Sequence, residues 1–277
     1  MKGLNLGCGM RFHPDWTNID VTTESSQVQL HDVRNGLPFP DDTFDIVYHS
    51  HLLEHLPKEK ALPFCRECHR VLKHGGVIRV VVPDLERIAK LYLRALDEAM
   101  KNSRSGHDYT WMMIELYDQV VRDRPGGAML EYLKQDPIPN ESLVYDRLGD
   151  EARRIVQRLR DPVPETARLS VRCSWVNDLC RWRDRLRAAV VRCLLSQRDY
   201  EALQLGRFRL SGEIHQWMYD RYSLCRLLEA SGFQAPQQRT ESDSAIENWA
   251  QFNLDTDNSG TPYKPDSLYV EAIKTSL

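Results

Sequence analysis

The chain has 277 residues, a hydrophobic fraction of 42% and a mean hydropathy of −0.52, the balance of a globular protein with one sizeable domain or a core carrying a large insertion. No apolar run nears the roughly 18–20 residues that span a bilayer, and Met1-Lys2-Gly3 leads straight into a strand-like segment, so neither a membrane span nor a signal peptide is expected. A net charge of −3 argues against broad nucleic-acid binding, and the expected compartment is the cytoplasm.

Short β-like runs alternate with turns and helices over the first 88 residues. Residues 4–6 end in Gly7-Cys8-Gly9, residues 17–21 carry Asp20 near their end, and residues 28–30 lead to His31-Asp32. Residues 44–49 form a fourth run and residues 77–82 a fifth, continuous and β-branched, as suits strands covered on both faces of a parallel sheet. Between these two, the spacing predicts a helix over 60–73, with Pro63 in its first turn and Gly75-Gly76 ending it. This alternation predicts a doubly wound α/β fold.

The same helix contains Cys65-Arg66-Glu67-Cys68-His69, the C-x-x-C-H pattern of covalent haem attachment. Both thiols fall on an apolar stripe with Ala61, Phe64, Val71 and Leu72, which predicts small core residues instead. The seven cysteines are odd in number and scattered, and free thiols are expected.

From 85 to 212 the periodicity turns helical, over 85–100, 109–121, 150–159 and 176–195, with Pro/Gly breaks near 125–127, 137–139 and 162–164. Residues 146–209 hold about fifteen arginines, no lysine and about nine acids. That pattern is either a solvated, salt-bridged surface or a lid that meets an anionic substrate. The strand–helix pattern returns with an amphipathic helix over 222–230, then β runs over 233–240 and 267–273 that complete the sheet. The expected organisation is a core of 1–84 and 213–277, with 85–212 as a helical insertion after the fifth strand.

Three strand ends therefore carry Gly-x-Gly, Asp and Asp in order, at the carboxyl edge where such sheets bind ligands. The third glycine of the dinucleotide fingerprint is missing, which lowers the case for NAD or FAD. Asp20 can accept both hydroxyls of a ribose, and Asp32 the exocyclic amine of an adenine.

Leu4-Asn5-Leu6-Gly7-Cys8-Gly9 resembles the first motif of class I S-adenosylmethionine-dependent methyltransferases. Residues 37–45, Leu53-Glu54-His55-Leu56 and residues 70–76 are similar to the fourth-strand region and the approach to the fifth strand in the methyltransferase type 11 group, and residues 215–274 resemble the last third of a bacterial subgroup. The resemblance implies a Rossmann-like class I methyltransferase sheet and S-adenosyl-L-methionine as cofactor. By position it implies Gly7, Cys8 and Gly9 on the methionine part, Asp20 on the ribose, Asp32 and Val33 on the adenine, and His49 and Ser50 beside the sulfonium. One departure stands out: the stretch between Gly9 and Ile19 is too short for the usual helix, so a loop over 10–16 must replace it.

Methyl transfer needs a positioned nucleophile and, for a hydroxyl, a proton acceptor. His51, Glu54 and His55 stand at i, i+3 and i+4, one face of a helix, and His215 follows the insertion. His55, His215 and His51 are the expected catalytic residues. The H-x-x-E-H string also resembles the metal motif of small-RNA 3′-terminal 2′-O-methyltransferases and ubiquinone-pathway O-methyltransferases, which implies a divalent metal ion on His51, Glu54, His55 and His215. The expected reaction is O-methylation of a small-molecule or sugar hydroxyl. The alternatives are a nucleic-acid methyltransferase that uses the arginines beside Trp175 and Trp182, and a non-catalytic cofactor-binding partner subunit.

Overall fold

The computed structural model describes residues 1–23, 25–102, 106–161 and 190–275. A seven-stranded sheet runs through the molecule in the order β3-β2-β1-β4-β5-β7-β6. Its strands are β1 (Gly3–Leu6), β2 (Thr17–Asp20), β3 (Val28–Leu30), β4 (Phe44–Ser50), β5 (Leu72–Pro83), β6 (Gln234–Arg239) and β7 (Ser267–Ile273). The first five are parallel, while β7 is antiparallel to both β5 and β6. The sheet is thus mixed, and the last strand inserts between the fifth and sixth.

The apolar runs explain these elements. All four residues of β1 are buried, as are the last six of β5, because both faces of the sheet are covered. Helix α1 (Lys58–Val71) turns Ala61, Phe64, Cys65, Cys68 and Val71 inward. Cys65 and Cys68 are fully buried in that core, and His69 stacks edge-on against Phe233 at 5.0 Å. The C-x-x-C-H string is therefore packing. Cys8, Cys65, Cys68, Cys193 and Cys225 are free thiols; Cys173 and Cys180 lie outside the described residues. Helix α1 stops at Val71, and the chain passes directly into a β5 longer than its apolar run, so Gly75-Gly76 sit in the strand instead of ending the helix. Residues 7–16 contain no helix, as their length requires.

After β5, Asp84 caps α2 (Leu85–Lys101) by accepting from Arg87 N. Then follow α3 (Gly106–Val121), α4 (Gly127–Leu133), α5 (Glu141–Leu148), α6 (Asp150–Arg160) and α7 (Gln197–Arg209). Helices α2 to α6 share a second core around Ile88, Trp111, Tyr132, Val144 and Val156, tied by a buried ion pair between Arg147 and Glu115. Helix α8 (Arg221–Ala230) begins with a capping box of Asp220 and Ser223 and returns the chain to the sheet. The expected helix over 176–195 lies largely outside the described residues, as do Trp175, Arg181, Trp182 and Arg183. Among the described residues no helix is long and apolar enough to cross a membrane.

The loop between β6 and β7 is fixed by one buried cation. Arg79, on β5 and fully buried, donates to Asp255 Oδ2 at 2.7 Å, to Glu271 Oε1 at 2.7 Å and to the carbonyls of Thr240 and Asp243, at 2.6 and 3.0 Å. Its guanidinium lies 4.7 Å from the Trp249 ring centroid, and Tyr48 donates to the other Asp255 oxygen at 2.6 Å. Removing one partner of such a network leaves the others buried and charged. Arg79→Met should cost about 3–5 kcal/mol in urea unfolding; a loss under about 1 kcal/mol would mean that the loop is held by its aromatic contacts instead.

Candidate active site

The carboxyl end of β1 makes a tight turn. Gly7 N and Cys8 N both donate to Ile19 O of β2, at 2.8 and 3.2 Å. Gly7 adopts φ +65°, and a Cβ there would stand 2.9 Å from Leu52 Cδ1, so only glycine fits. Gly9 adopts φ +53° with open space where a Cβ would point, leaving its backbone approachable. Asp20 closes the turn: Gly9 N donates to Oδ2 at 2.8 Å and Thr22 N to Oδ1 at 3.0 Å.

Two cavities open on this turn and share Gly7 and His51. One, of about 200 Å³, reaches Asn5, Cys8, Gly9 and Ser50 and is closed by Glu151, Tyr263 and Lys264. The other, of about 180 Å³, reaches Asp20, Asp32, Val33, Leu52 and His55 and is bounded by Ser211 and Gly212. The expected cofactor residues Gly7, Cys8, Gly9, Asp20, Asp32, Val33 and Ser50 thus line one continuous surface. His49 does not. Strand alternation sends Tyr48 and Ser50 to one face and His49 to the other, where its ring lies 5.3 Å from Phe64. The Asp32 carboxylate is engaged as well: it accepts from Arg34 Nε at 2.9 and 3.0 Å and from Nη2 at 2.7 Å, and it caps the turn Val33–Asn35. That pairing holds its pKa below the usual carboxylate value.

His51 occupies the junction with φ +52°, a strained conformation for a residue with a side chain. Its Nε2 is 2.9 Å from Ser267 Oγ and its Nδ1 is 3.3 Å from Glu54 Oε1. Glu54 and His55 follow on the turn Leu53–His55. His55 Nδ1 is 3.0 Å from Ile214 O, and its ring packs edge-on to His215 at 4.8 Å. The chain leaving the helical segment is pinned here, since Gln216 N and Trp217 N donate to Glu54 O at 2.6 and 3.2 Å and His215 N to Gln119 O at 2.9 Å. Burial alone would raise the Glu54 pKa, but the neighbouring imidazoles of His51, His215 and His55 outweigh it and carry it down to about 2. Burial pushes His215 down to about 3 and His49 to about 4. The cluster is therefore an ionised carboxylate beside imidazoles of which His215 is held neutral.

The structure adds residues that the sequence pattern did not single out. Tyr263 and Lys264 come from the loop before β7 and Glu151 from α6, more than a hundred residues from the glycine turn, and no local motif marks them. Arg11 anchors that loop, donating to the carbonyls of Asn253 and Leu254 at 3.0 Å each and to Thr256, with its guanidinium 4.1 Å from the Tyr263 ring centroid. Buried Tyr219, beside Glu54, likewise carries no sequence signal.

Residues 12–80 match the family model described as a methyltransferase domain. That stretch of the chain is therefore similar to a methyltransferase domain. A curated relative, the ubiquinone/menaquinone biosynthesis C-methyltransferase UbiE of Vibrio parahaemolyticus, is 32% identical over 124 residues, which cover 41% of this chain and 44% of UbiE. The chain thus matches under half the length of that relative. Among solved structures, an S-adenosylmethionine-dependent methyltransferase from Archaeoglobus fulgidus aligns over 99% of this chain and 86% of its own, at 12% identity and a TM-score of 0.39. The YcgJ protein of Bacillus subtilis aligns over 100% and 92%, at 14% identity and 0.37. These superpositions are loose, and the fold is described by its own strand order, a Rossmann-like sheet of five parallel strands with the antiparallel β7 between β5 and β6.

A pH dependence follows from His49. An unfolded histidine takes up its proton near pH 6.5, whereas folded His49 stays neutral down to about pH 4. Between these values the unfolded chain binds more protons, so stability falls as pH is lowered. Unfolding free energy should drop from about pH 6.5 to about pH 4.5, and His49→Phe should reduce that slope, leaving the share that His215 contributes over the same window. A His49 ring signal titrating near its ordinary value in NMR would contradict this.

Proposed function

We propose that this chain is an S-adenosylmethionine-dependent methyltransferase whose acceptor is a hydroxyl of a small molecule or sugar. The observation that carries the reading is the pair of cavities meeting at Gly7 and His51, with His55 on the second and buried Glu54 and His215 behind them. The residues fit the cofactor. The second cavity offers Asp20 to a ribose, and Val33, Leu52 and Leu56 to the faces of an adenine. Because the Asp32 carboxylate is held by Arg34, the backbone around Val33 is better disposed than Asp32 to meet the base. The open backbone at Gly9 and the amide of Asn5 suit the amino-acid end. When bound, S-adenosylmethionine supplies a methyl group on a sulfonium, transferred as the acceptor oxygen provides the bonding pair and sulfur keeps its own.

The chain's part is to align the acceptor and take its proton. His51, at the junction of the cavities, and His55, on the second, are within the same surface as the glycine turn, and His215 backs them. An imidazole of this cluster would accept the proton, and Glu54, His55 and His215 are the residues that would hold a divalent ion, which would supply Lewis acidity there. The inserted segment, taken as 85–212 between core pieces 1–84 and 213–277, is read as a cap that excludes water and selects the acceptor. Glu151 on one cavity wall and Ser211 and Gly212 on the other support that reading.

The similarity to UbiE over 124 residues keeps carbon methylation as a second reading, since that protein is named a C-methyltransferase. A screen of sugars, phenols, diols, quinols and RNA with methyl-labelled S-adenosylmethionine, read by product mass and fragmentation, separates oxygen from carbon acceptors. Label in a hydroxyl is expected; label only on carbon, only in RNA, or nowhere would overturn the reading in favour of those alternatives or of a partner subunit. Independently, Asp20→Ala should weaken cofactor binding by about 1–3 kcal/mol in calorimetry, the range for an unpaired polar partner, and unchanged affinity would remove Asp20 from the site.

A further inference from the structure

Glu54 lies inside a polar nest that the protein does not satisfy by itself. Glu54 is 0% exposed, and His51 Nδ1 stands 3.3 Å from its Oε1 without forming a hydrogen bond. Neither carboxylate oxygen therefore has a hydrogen-bond partner among the described residues, and neither does Nδ1 of His215, which is 4% exposed. Buried polar groups are almost always paired, and a buried carboxylate is the most costly exception. One donor atom each from Glu54, His55 and His215 lies within 4.8 Å of the other two.

We propose that Glu54, His55 and His215 bind a divalent first-row transition cation. Two imidazoles and one carboxylate suit zinc, cobalt, manganese or iron better than magnesium, which prefers oxygen throughout. The surroundings have the order such a site needs. With a proton on Nδ1, His55 donates to Ile214 O at 3.0 Å, which leaves Nε2 bare for the ion, the usual outer support of a ligating histidine. His51 has Ser267 on one nitrogen and Glu54 on the other. It lies against the carboxylate as an outer neighbour and is not itself a ligand, so the site has three protein donors where the resemblance implied four. Three donors leave positions open toward the cavity that His55 lines, and there an ion can hold a second molecule. Bound donors stand closer together than 4.8 Å, so the ion would draw His215, and the chain returning from the helical segment, onto the turn that carries Glu54.

This inference deepens the proposed reading of the same site and rests on it for the ion's use, but its test needs no methyl transfer. Full-length protein stripped with chelator and dialysed is titrated separately with Co²⁺ and Zn²⁺ in calorimetry, with the visible absorption of bound Co²⁺ and the melting temperature as further readouts. One ion per chain, a low-coordinate cobalt spectrum and a higher melting temperature are expected. Glu54→Gln and His215→Gln should abolish binding, and His51→Ala should weaken it about 10–100-fold, as loss of an outer partner does. Should either ligand variant fail to fold, X-ray absorption at the zinc edge of the loaded wild-type protein decides instead, with imidazole and carboxylate scattering expected. No stoichiometric binding to the wild-type protein, binding that survives in both ligand variants, or a zinc shell without imidazole would overturn the site.

Discussion

Glu54 is gripped at both ends. Its carbonyl accepts the amides of Gln216 and Trp217, and its buried carboxylate faces His51, His55 and His215. Everything at the mouth of the sheet depends on this contact, because it is where the chain that leaves at β5 is fastened back to the core. The backbone bonds fix the position of the return segment, and the carboxylate fixes which side chains gather around it. A carboxylate at this depth is costly to bury, and the facing imidazoles offset only part of that cost, since neither oxygen has a hydrogen-bond partner among the described residues. The same requirement that makes the cluster costly to build makes it chemically capable.

The glycine turn sets the other half of the site. Gly7 and Gly9 take left-handed backbone angles, and Asp20 holds the turn through Gly9 N. Asp20 is consequently both a brace for the turn and a surface of the second cavity. A carboxylate already oriented by backbone amides meets a ligand without further ordering, which is the physical sense of preorganisation. On the far side, Arg11 and Arg79 pin the loop from 240 to 266, so Tyr263 and Lys264 close the first cavity from a rigid base.

Most of the sheet could be read from the sequence because β1, β4, β5 and β7 are apolar runs and the ends of β1, β2 and β3 are marked by glycine or aspartate, whereas the polar β6 (Gln234–Arg239) is marked only by its place after a helix. The antiparallel insertion of β7 could not, since the apolar run over 267–273 carries no signal for its direction or its neighbour. Helix α1 ended earlier than its glycines suggested because Leu72 already pairs with Phe44; tertiary pairing overrode the local stop. At the site, Gly7, Gly9, Asp20 and the cluster of His51, Glu54, His55 and His215 were visible as motif residues, and the fold brings them to one edge. The resemblance implies His49 beside the sulfonium, but alternation along β4 turns its side chain into the core against Phe64. Glu151, Tyr263 and Lys264 were invisible, as they meet the glycine turn only through the packing of distant segments.

The central claim is that one cofactor crosses both cavities with its reacting atom at their junction. A crystal structure with S-adenosylhomocysteine bound tests it most directly. The account predicts the thioether sulfur between Gly7 and His51, the ribose against Asp20, and the amino-acid end beside Asn5 and Gly9. A ligand bound away from this edge, or one whose sulfur lies remote from His51 and the Glu54 cluster, would contradict it.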